Sequence, residues 1–91
     1  MNLVGRTVRM TYAVRQGNGE PALASSVQLQ VRLPGGGLTT LASTSPAPGD
    51  WEGTYTPVIH GEHLVIWLAA FSDGTADVAL DAFVVSPLYL S

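Results

Sequence analysis

The feature that most constrains this chain is an alternation of apolar and polar residues along short segments. In residues 6–15, RTVRMTYAVR, every second residue from Val8 to Val14 is apolar, and residues 26–33, SVQLQVRL, alternate in the same way. A period of two residues is typical of a β-strand with one buried face, whereas an amphipathic helix repeats every 3.6 residues. The pattern therefore predicts strands, and no segment shows a helical period.

Further strands are predicted at 38–44, 51–59, 64–71 and 76–85. Between the strands lie segments of turn formers: GNGEP, PGGG at 34–37, the loop SPAPGD at 45–50, HGEH, and the hairpin turn SDGT at 72–75. Proline and glycine in SPAPGD are expected to exclude regular structure there. About seven short antiparallel strands in 91 residues predict an all-β fold, an immunoglobulin-like or fibronectin-like β-sandwich. A partly open barrel is the alternative, and residues 1–91 are expected to form one domain.

Composition excludes several classes of function. The chain has no cysteine, which rules out disulfides and thiolate zinc sites. It has no lysine and a net charge of −3, which disfavours nucleic acid as a partner. The N-terminal residues have no apolar core of a signal peptide, and the longest apolar run, residues 64–71, is too short for a membrane helix. We therefore expect no membrane partner.

HGEH at 60–63 is the one stretch with the residue types of a metal site. His60 and His63 are three residues apart around a glycine, whereas a metalloprotease helix needs histidines four apart with a glutamate between them. The stretch is therefore interpreted as a polar turn. Asp73, Asp77 and Asp81 do not form the ligand pattern of a calcium loop. We expect no enzyme activity, no metal and no cofactor.

Residues 64–71, LVIWLAAF, are apolar on both faces of the predicted strand. One row must meet something other than solvent, since exposed apolar patches usually mark interaction surfaces. We predict a protein interface whose apolar residues are Leu64, Ile66, Leu68, Val84, Leu88, Tyr89 and Leu90. Its polar rim would be formed by Arg9, Arg15 and Arg32. Residues 87–91 would be a C-terminal docking tail on a neighbouring subunit. The alternatives are that this tail folds back as an edge strand, and that a loop of the same chain covers the second row.

Charge is divided along the chain. Residues 1–45 carry four arginines and one acid, 4 − 1 = +3, and residues 46–91 carry six acids and no arginine, −6. Like subunits that met head-to-tail would bring opposite charges together, which favours a homo-oligomer. Strands that are adjacent in space could instead mix the two halves and cancel the effect.

The segments GRTVRMTYAV, VQLQVRLPGGGLTT, WEGTYTP and DAFVV occur in an order that resembles a group of small Ig-like proteins encoded among the virion genes of tailed bacteriophages. HGEHLVIW departs from the pattern of that group. The resemblance implies a non-enzymatic virion structural protein at the neck, tail or capsid surface, made in the host cytoplasm. Its partners would be portal, neck, tail or capsid subunits. The alternative is an accessory binding module of an adhesin-like protein that recognises carbohydrate or a cell surface, with Trp51 and Tyr55 as a wet aromatic platform.

Overall fold

The computed structural model describes residues 2–16, 19–20 and 22–86. In this part of the chain every regular element is a strand, which confirms the predicted all-β fold. The strands are β1 (Asn2–Leu3), β2 (Val8–Ala13), β3 (Ser26–Arg32), β4 (Leu38–Leu41), β5 (Thr44–Ala47), β6 (Asp50–Tyr55), β7 (Gly61–Ala70) and β8 (Ala76–Ser86).

The strands form two sheets that pack face to face. The larger sheet has five strands in the order β1-β8-β7-β3-β4, and the smaller has three in the order β2-β6-β5. All pairs are antiparallel except β1 with β8, which is a parallel pair of two residues on each strand. The chain therefore forms the predicted β-sandwich and not the alternative, a partly open barrel.

The core lies between the inner faces of the two sheets. From the larger sheet, Leu29 and Val31 on β3 and Val65 and Trp67 on β7 are buried. From the smaller sheet, Tyr12 stacks on Trp67 with ring centroids 5.4 Å apart. Tyr12, Leu29 and Val31 are apolar members of alternating segments, so the period of two residues decides that they enter the core. Val65 and Trp67 form one of the two apolar rows of residues 64–71.

The two sheets approach each other closely where β6 crosses Leu29. Gly53 is buried on β6, and a Cβ atom built there would overlap the side chain of Leu29, which has no exposed surface, and lie 3.1 Å from the carbonyl oxygen of Ala42. Glycine is therefore favoured at this position, because a side chain there would displace the buried Leu29 side chain.

The chain between β3 and β6 differs from the sequence-based prediction. Residues 38–44 do not form one strand: β4 ends at Leu41 and belongs to the larger sheet, while β5 begins at Thr44 and belongs to the smaller one. The prediction that residues 45–50 lack regular structure is also wrong, because β5 includes Pro46. Proline is tolerated there since β5 is an edge strand and its pairing with β6 is irregular.

The predicted hairpin turn at 72–75 joins β7 to β8. Gly74 has φ +88°, a left-handed conformation that glycine adopts without strain. The carboxylate of Asp73 accepts hydrogen bonds from the backbone N–H of Thr75 at 2.9 Å and from its hydroxyl at 2.6 Å. These bonds hold the pKa of Asp73 below its ordinary value. The turn fixes the register of the longest strand pair in the described residues.

Replacing Gly53 tests the close approach of the sheets. Gly53→Ala is expected to lower the free energy of unfolding by about 1–3 kcal/mol, because the added methyl group overlaps Leu29. Gly35→Ala is the matched control, since a Cβ atom at Gly35 meets no atom within 4 Å and its φ is not positive. Urea denaturation measures both variants. Equal stability of the two would contradict the packing described here.

Candidate functional site: an apolar sheet face and its open edge

The outer face of the five-stranded sheet carries two neighbouring rows of apolar side chains. We call this surface the outer apolar face; it consists of Leu64, Ile66 and Leu68 on β7 and Val78, Leu80 and Val84 on β8. Ile66 lies directly opposite Leu80, and Leu68 lies opposite Val78. Residues that are paired across antiparallel strands point to the same side, so the two rows are continuous.

The two rows differ in exposure. The β7 row is half-buried between its neighbouring strands, whereas the β8 row is open to solvent. Val78, Leu80 and Val84 are 55%, 65% and 62% exposed. The predicted interface includes Val84 but not Val78 and Leu80, although both share the parity of Val84 in the alternating segment 76–85.

A polar row borders the outer apolar face on its β3 side. Gln28, Gln30 and Arg32 lie opposite Leu68, Ile66 and Leu64. The predicted rim residue Arg32 therefore does lie next to the apolar residues that it was expected to flank.

The structure does not bring the other two predicted rim residues to this face. Arg9 lies on β2 of the smaller sheet, on the opposite side of the sandwich, and Arg15 lies just after β2 in the sequence. The Arg9 Nε donates to Glu52 Oε2 at 2.9 Å, and Arg15 forms an ion pair with Asp50. Both arginines are therefore engaged within their own chain.

These two ion pairs also remove much of the predicted division of charge. Arg9 and Arg15 come from the positive half of the sequence, and Glu52 and Asp50 come from the negative half. The halves mix because β2 pairs with β6, with Thr11 opposite Glu52 and Ala13 opposite Asp50. Linear charge order therefore does not translate into one positive and one negative face at these positions.

The β8 strand has an open edge along most of its length. β1 pairs with it at Val85 and Ser86, and among the described residues no strand pairs with the same edge from Ala76 to Val84. The carbonyl of Ser86 points to this side, because it accepts a hydrogen bond from the backbone N–H of Val4 at 3.1 Å. Since alternate residues point the same way, the backbone groups of the even-numbered residues of β8 face the open edge.

Two acids lie on the inner side of this edge strand. Asp77 accepts a hydrogen bond from the Tyr12 hydroxyl at 2.5 Å, which links β8 to the smaller sheet. Asp81 accepts one from the backbone N–H of Ala82 at 2.8 Å, so its carboxylate occupies one of the edge donors. Both acids remain exposed, because a sheet of three strands does not cover the whole inner face of a sheet of five.

The HGEH stretch separates into an exposed and a buried histidine. His60 is exposed, whereas His63 lies in β7 with no exposed surface, stacked on Phe83 with ring centroids 5.0 Å apart. Its Nδ1 lies 3.1 Å from the carbonyl oxygen of Gly61, and its Nε2 has no hydrogen-bond partner among the described residues. The interpretation of all four residues as a turn is therefore wrong: β7 begins at Gly61, and His63 is a core residue.

The described residues contain no group of three or more His, Asp or Glu side chains that could hold a metal ion. Nor do they include a helix long and apolar enough to cross a membrane. Trp51 and Tyr55, the predicted platform of a binding module, lie opposite Tyr12 and Val8 and pack against the core. The predicted docking residues Leu88, Tyr89 and Leu90 lie outside the described residues.

The sequence matches no protein-family model, and no curated protein is significantly similar to it. Among solved structures it is similar to the crystal structure of the Lin-41 filamin domain, with a TM-score of 0.68 and 19% sequence identity. The match covers 93% of this chain and 81% of that one. The fold is therefore that of an Ig-like β-sandwich of the filamin type, a fold that is typically non-catalytic.

The Tyr12–Asp77 contact predicts a loss of stability in alkali. Burial, together with the hydrogen bond to Asp77 and its negative charge, raises the pKa of the Tyr12 phenol well above its ordinary value. The stabilisation is therefore fully present below about pH 10, where a tyrosine of the unfolded chain is still neutral, and declines as the pH rises further.

Tyr12→Phe should therefore lose less stability than the native chain between about pH 8 and about pH 11, by up to about 1 kcal/mol. Urea denaturation at both pH values measures the difference, and the other tyrosines cancel because both proteins contain them. Parallel losses in the two proteins would show that Tyr12 is not held in its neutral form by folding.

Proposed function

We propose that this chain is a non-enzymatic structural protein of a tailed-phage virion that contacts neighbouring subunits through its outer apolar face. The observation that carries the proposal is the continuous pair of rows on β7 and β8, on the side of the sheet that faces away from the core. Portal, neck, tail or capsid subunits are the proposed partners, and homo-oligomers are proposed within the same assembly. Nucleic acid and membranes are not proposed as partners.

The energetics of the β8 row support a contact function. A side chain of this kind contributes about 1.5–3 kcal/mol when it is fully buried. Val78, Leu80 and Val84 each leave more than half of their surface in water, so covering them would release roughly 1–2 kcal/mol apiece. A contact of this size matters for a domain of 91 residues, whose own core is small.

The virion location is proposed from the sequence resemblance, which spans the β2, β3–β4, β6 and β8 segments. Low charge is consistent with it: charged residues make up 12% of the chain, whereas a freely diffusing domain ordinarily carries about a quarter. The proposed site of synthesis is the host cytoplasm, followed by incorporation into the particle.

The adhesin-like alternative required a wet aromatic platform. Trp51 and Tyr55 instead point towards the core from β6, opposite residues of β2. No observation in the described residues favours this alternative over a structural role.

Incorporation into particles tests the proposal. Virions of the phage that encodes the chain, purified on a density gradient, should contain it at a constant ratio to the capsid protein by mass spectrometry. Ile66→Asp, which places a charge in the middle of the outer apolar face, should reduce incorporation at least tenfold, since an unpaired charge is costly to bury.

Thr54→Asp is the matched control, because Thr54 is an exposed strand residue on the smaller sheet, away from the outer apolar face. It should be incorporated like the native chain. Absence of the native chain from purified virions would refute the virion role. Normal incorporation of folded Ile66→Asp would refute the role of the outer apolar face.

A further inference from the structure

We propose that the open edge of β8 binds an extended segment of a partner protein with the pattern basic–apolar–any–apolar–basic. The segment would add a strand to the five-stranded sheet. This inference deepens the proposed function by defining the chemistry of one contact, and it rests on that function for the identity of the particle protein that carries the segment.

The backbone of the edge supplies the hydrogen bonds for such a strand. The edge groups of Val78, Leu80 and Val84 point away from β7, because they have the same parity as Ser86, whose carbonyl accepts a hydrogen bond from the N–H of Val4, the residue after β1. An unpaired row of N–H and C=O groups is a template for another strand, and peptides bind sheet edges in this way through main-chain hydrogen bonds.

The two acids of β8 define the charge of the partner. Asp77 and Asp81 are four residues apart and point to the same, inner side of the strand. Among the described residues Asp81 forms no ion pair, and its carboxylate lies at the edge, bound to the N–H of Ala82. A partner strand therefore brings favourable charge when its residues opposite these two acids are lysine or arginine.

The residues between the acids define the apolar positions. Val78 and Leu80 point to the outer side, so partner residues opposite them extend the outer apolar face by one strand. Ala79 lies between them, and its small side chain does not restrict the type of the partner residue opposite it. The resulting pattern reads the same in both directions, so it fits a parallel or an antiparallel partner strand.

A second copy of this chain does not supply the pattern. The chain has no lysine, and its arginines stand at positions 6, 9, 15 and 32, none of which are four apart. Pairing of β8 with a second β8 would bring four carboxylates to one seam, and like charges across strands destabilise a sheet. The occupant is therefore a segment of a different protein.

The test uses two synthetic nine-residue peptides, TVRVTVRVT and TVEVTVEVT, which differ only at two positions, where one has arginine and the other has glutamate of opposite charge. The arginine peptide should bind with a Kd at least tenfold below that of the glutamate peptide, by fluorescence anisotropy. In nuclear magnetic resonance spectra, amide shifts on binding should concentrate at residues 76–84. Asp81→Asn should weaken binding of the arginine peptide at least threefold, whereas Asp73→Asn, the same change in the turn, should not.

Leu80→Pro tests the edge directly, because the N–H that proline removes faces away from β7. It should abolish binding of the arginine peptide while the chain stays folded, and if it unfolds the chain, Asp81→Asn alone decides the outcome. The inference would be overturned if both peptides bound equally, or if the amide shifts were centred on β2 or β4. It would also be overturned if no binding were seen at peptide concentrations up to about 1 mM. Concentration-dependent shifts at residues 76–84 without peptide would overturn it in favour of a second copy.

The two proposals fail separately. A chain that binds the arginine peptide at β8 but is missing from virions would leave the edge site standing and refute the virion role. A chain that is present in virions but does not bind the peptide would refute the edge site and leave the virion role standing.

Discussion

The fold depends on the contact between Leu29 and the backbone of β6 at Gly53. Leu29 is completely buried on β3, beside the central strand β7 of the larger sheet, and its side chain occupies the space into which a Cβ atom at position 53 would project. This contact brings the two sheets together, and the rings of Tyr12 and Trp67 stack beside it. The other inner residues then pack around a fixed separation of the sheets.

The unequal size of the sheets explains where the molecule is open. Three strands cannot cover five, so the inner side of β8 tolerates Asp77 and Asp81, and its outer side carries exposed valine and leucine. β1 covers the end of β8 at Val85 and Ser86. The same strand therefore combines an exposed apolar row, exposed acids and unpaired backbone groups, which together make it the strongest candidate contact surface among the described residues.

Alternation predicted the sandwich because the period of two residues directly decides which side chains are buried. It also predicted that Leu64, Ile66 and Leu68 lie on a different side from Val65 and Trp67, as the structure confirms. It could not predict that the chain changes sheets after Leu41, because local sequence does not specify which strand will be a neighbour. Pro46 led to the prediction that this segment is irregular. On an edge strand, however, proline is tolerated, because the backbone N–H that it lacks is not needed for pairing.

The candidate site was predicted only in part, because alternation reports which side chains share a face but not which strands are neighbours. The apolar rows follow from alternation, whereas the positions of Arg9 and Arg15 depend on the pairing of β2 with β6. The open edge of β8 is a property of topology and leaves no signal in a single segment. A turn was predicted at His63 because the three residues before it are histidine, glycine and glutamate, whereas the structure places it inside β7, buried and stacked on Phe83.

We propose that the β8 side of the larger sheet is covered by another protein in the assembled particle. Hydrogen–deuterium exchange of the amides of Val78, Leu80 and Val84, compared between the free chain and the chain within purified virions, tests it most directly. We expect rapid exchange in the free chain, where these amides face the open edge, and strong protection in the particle. Equally rapid exchange in both states would contradict it.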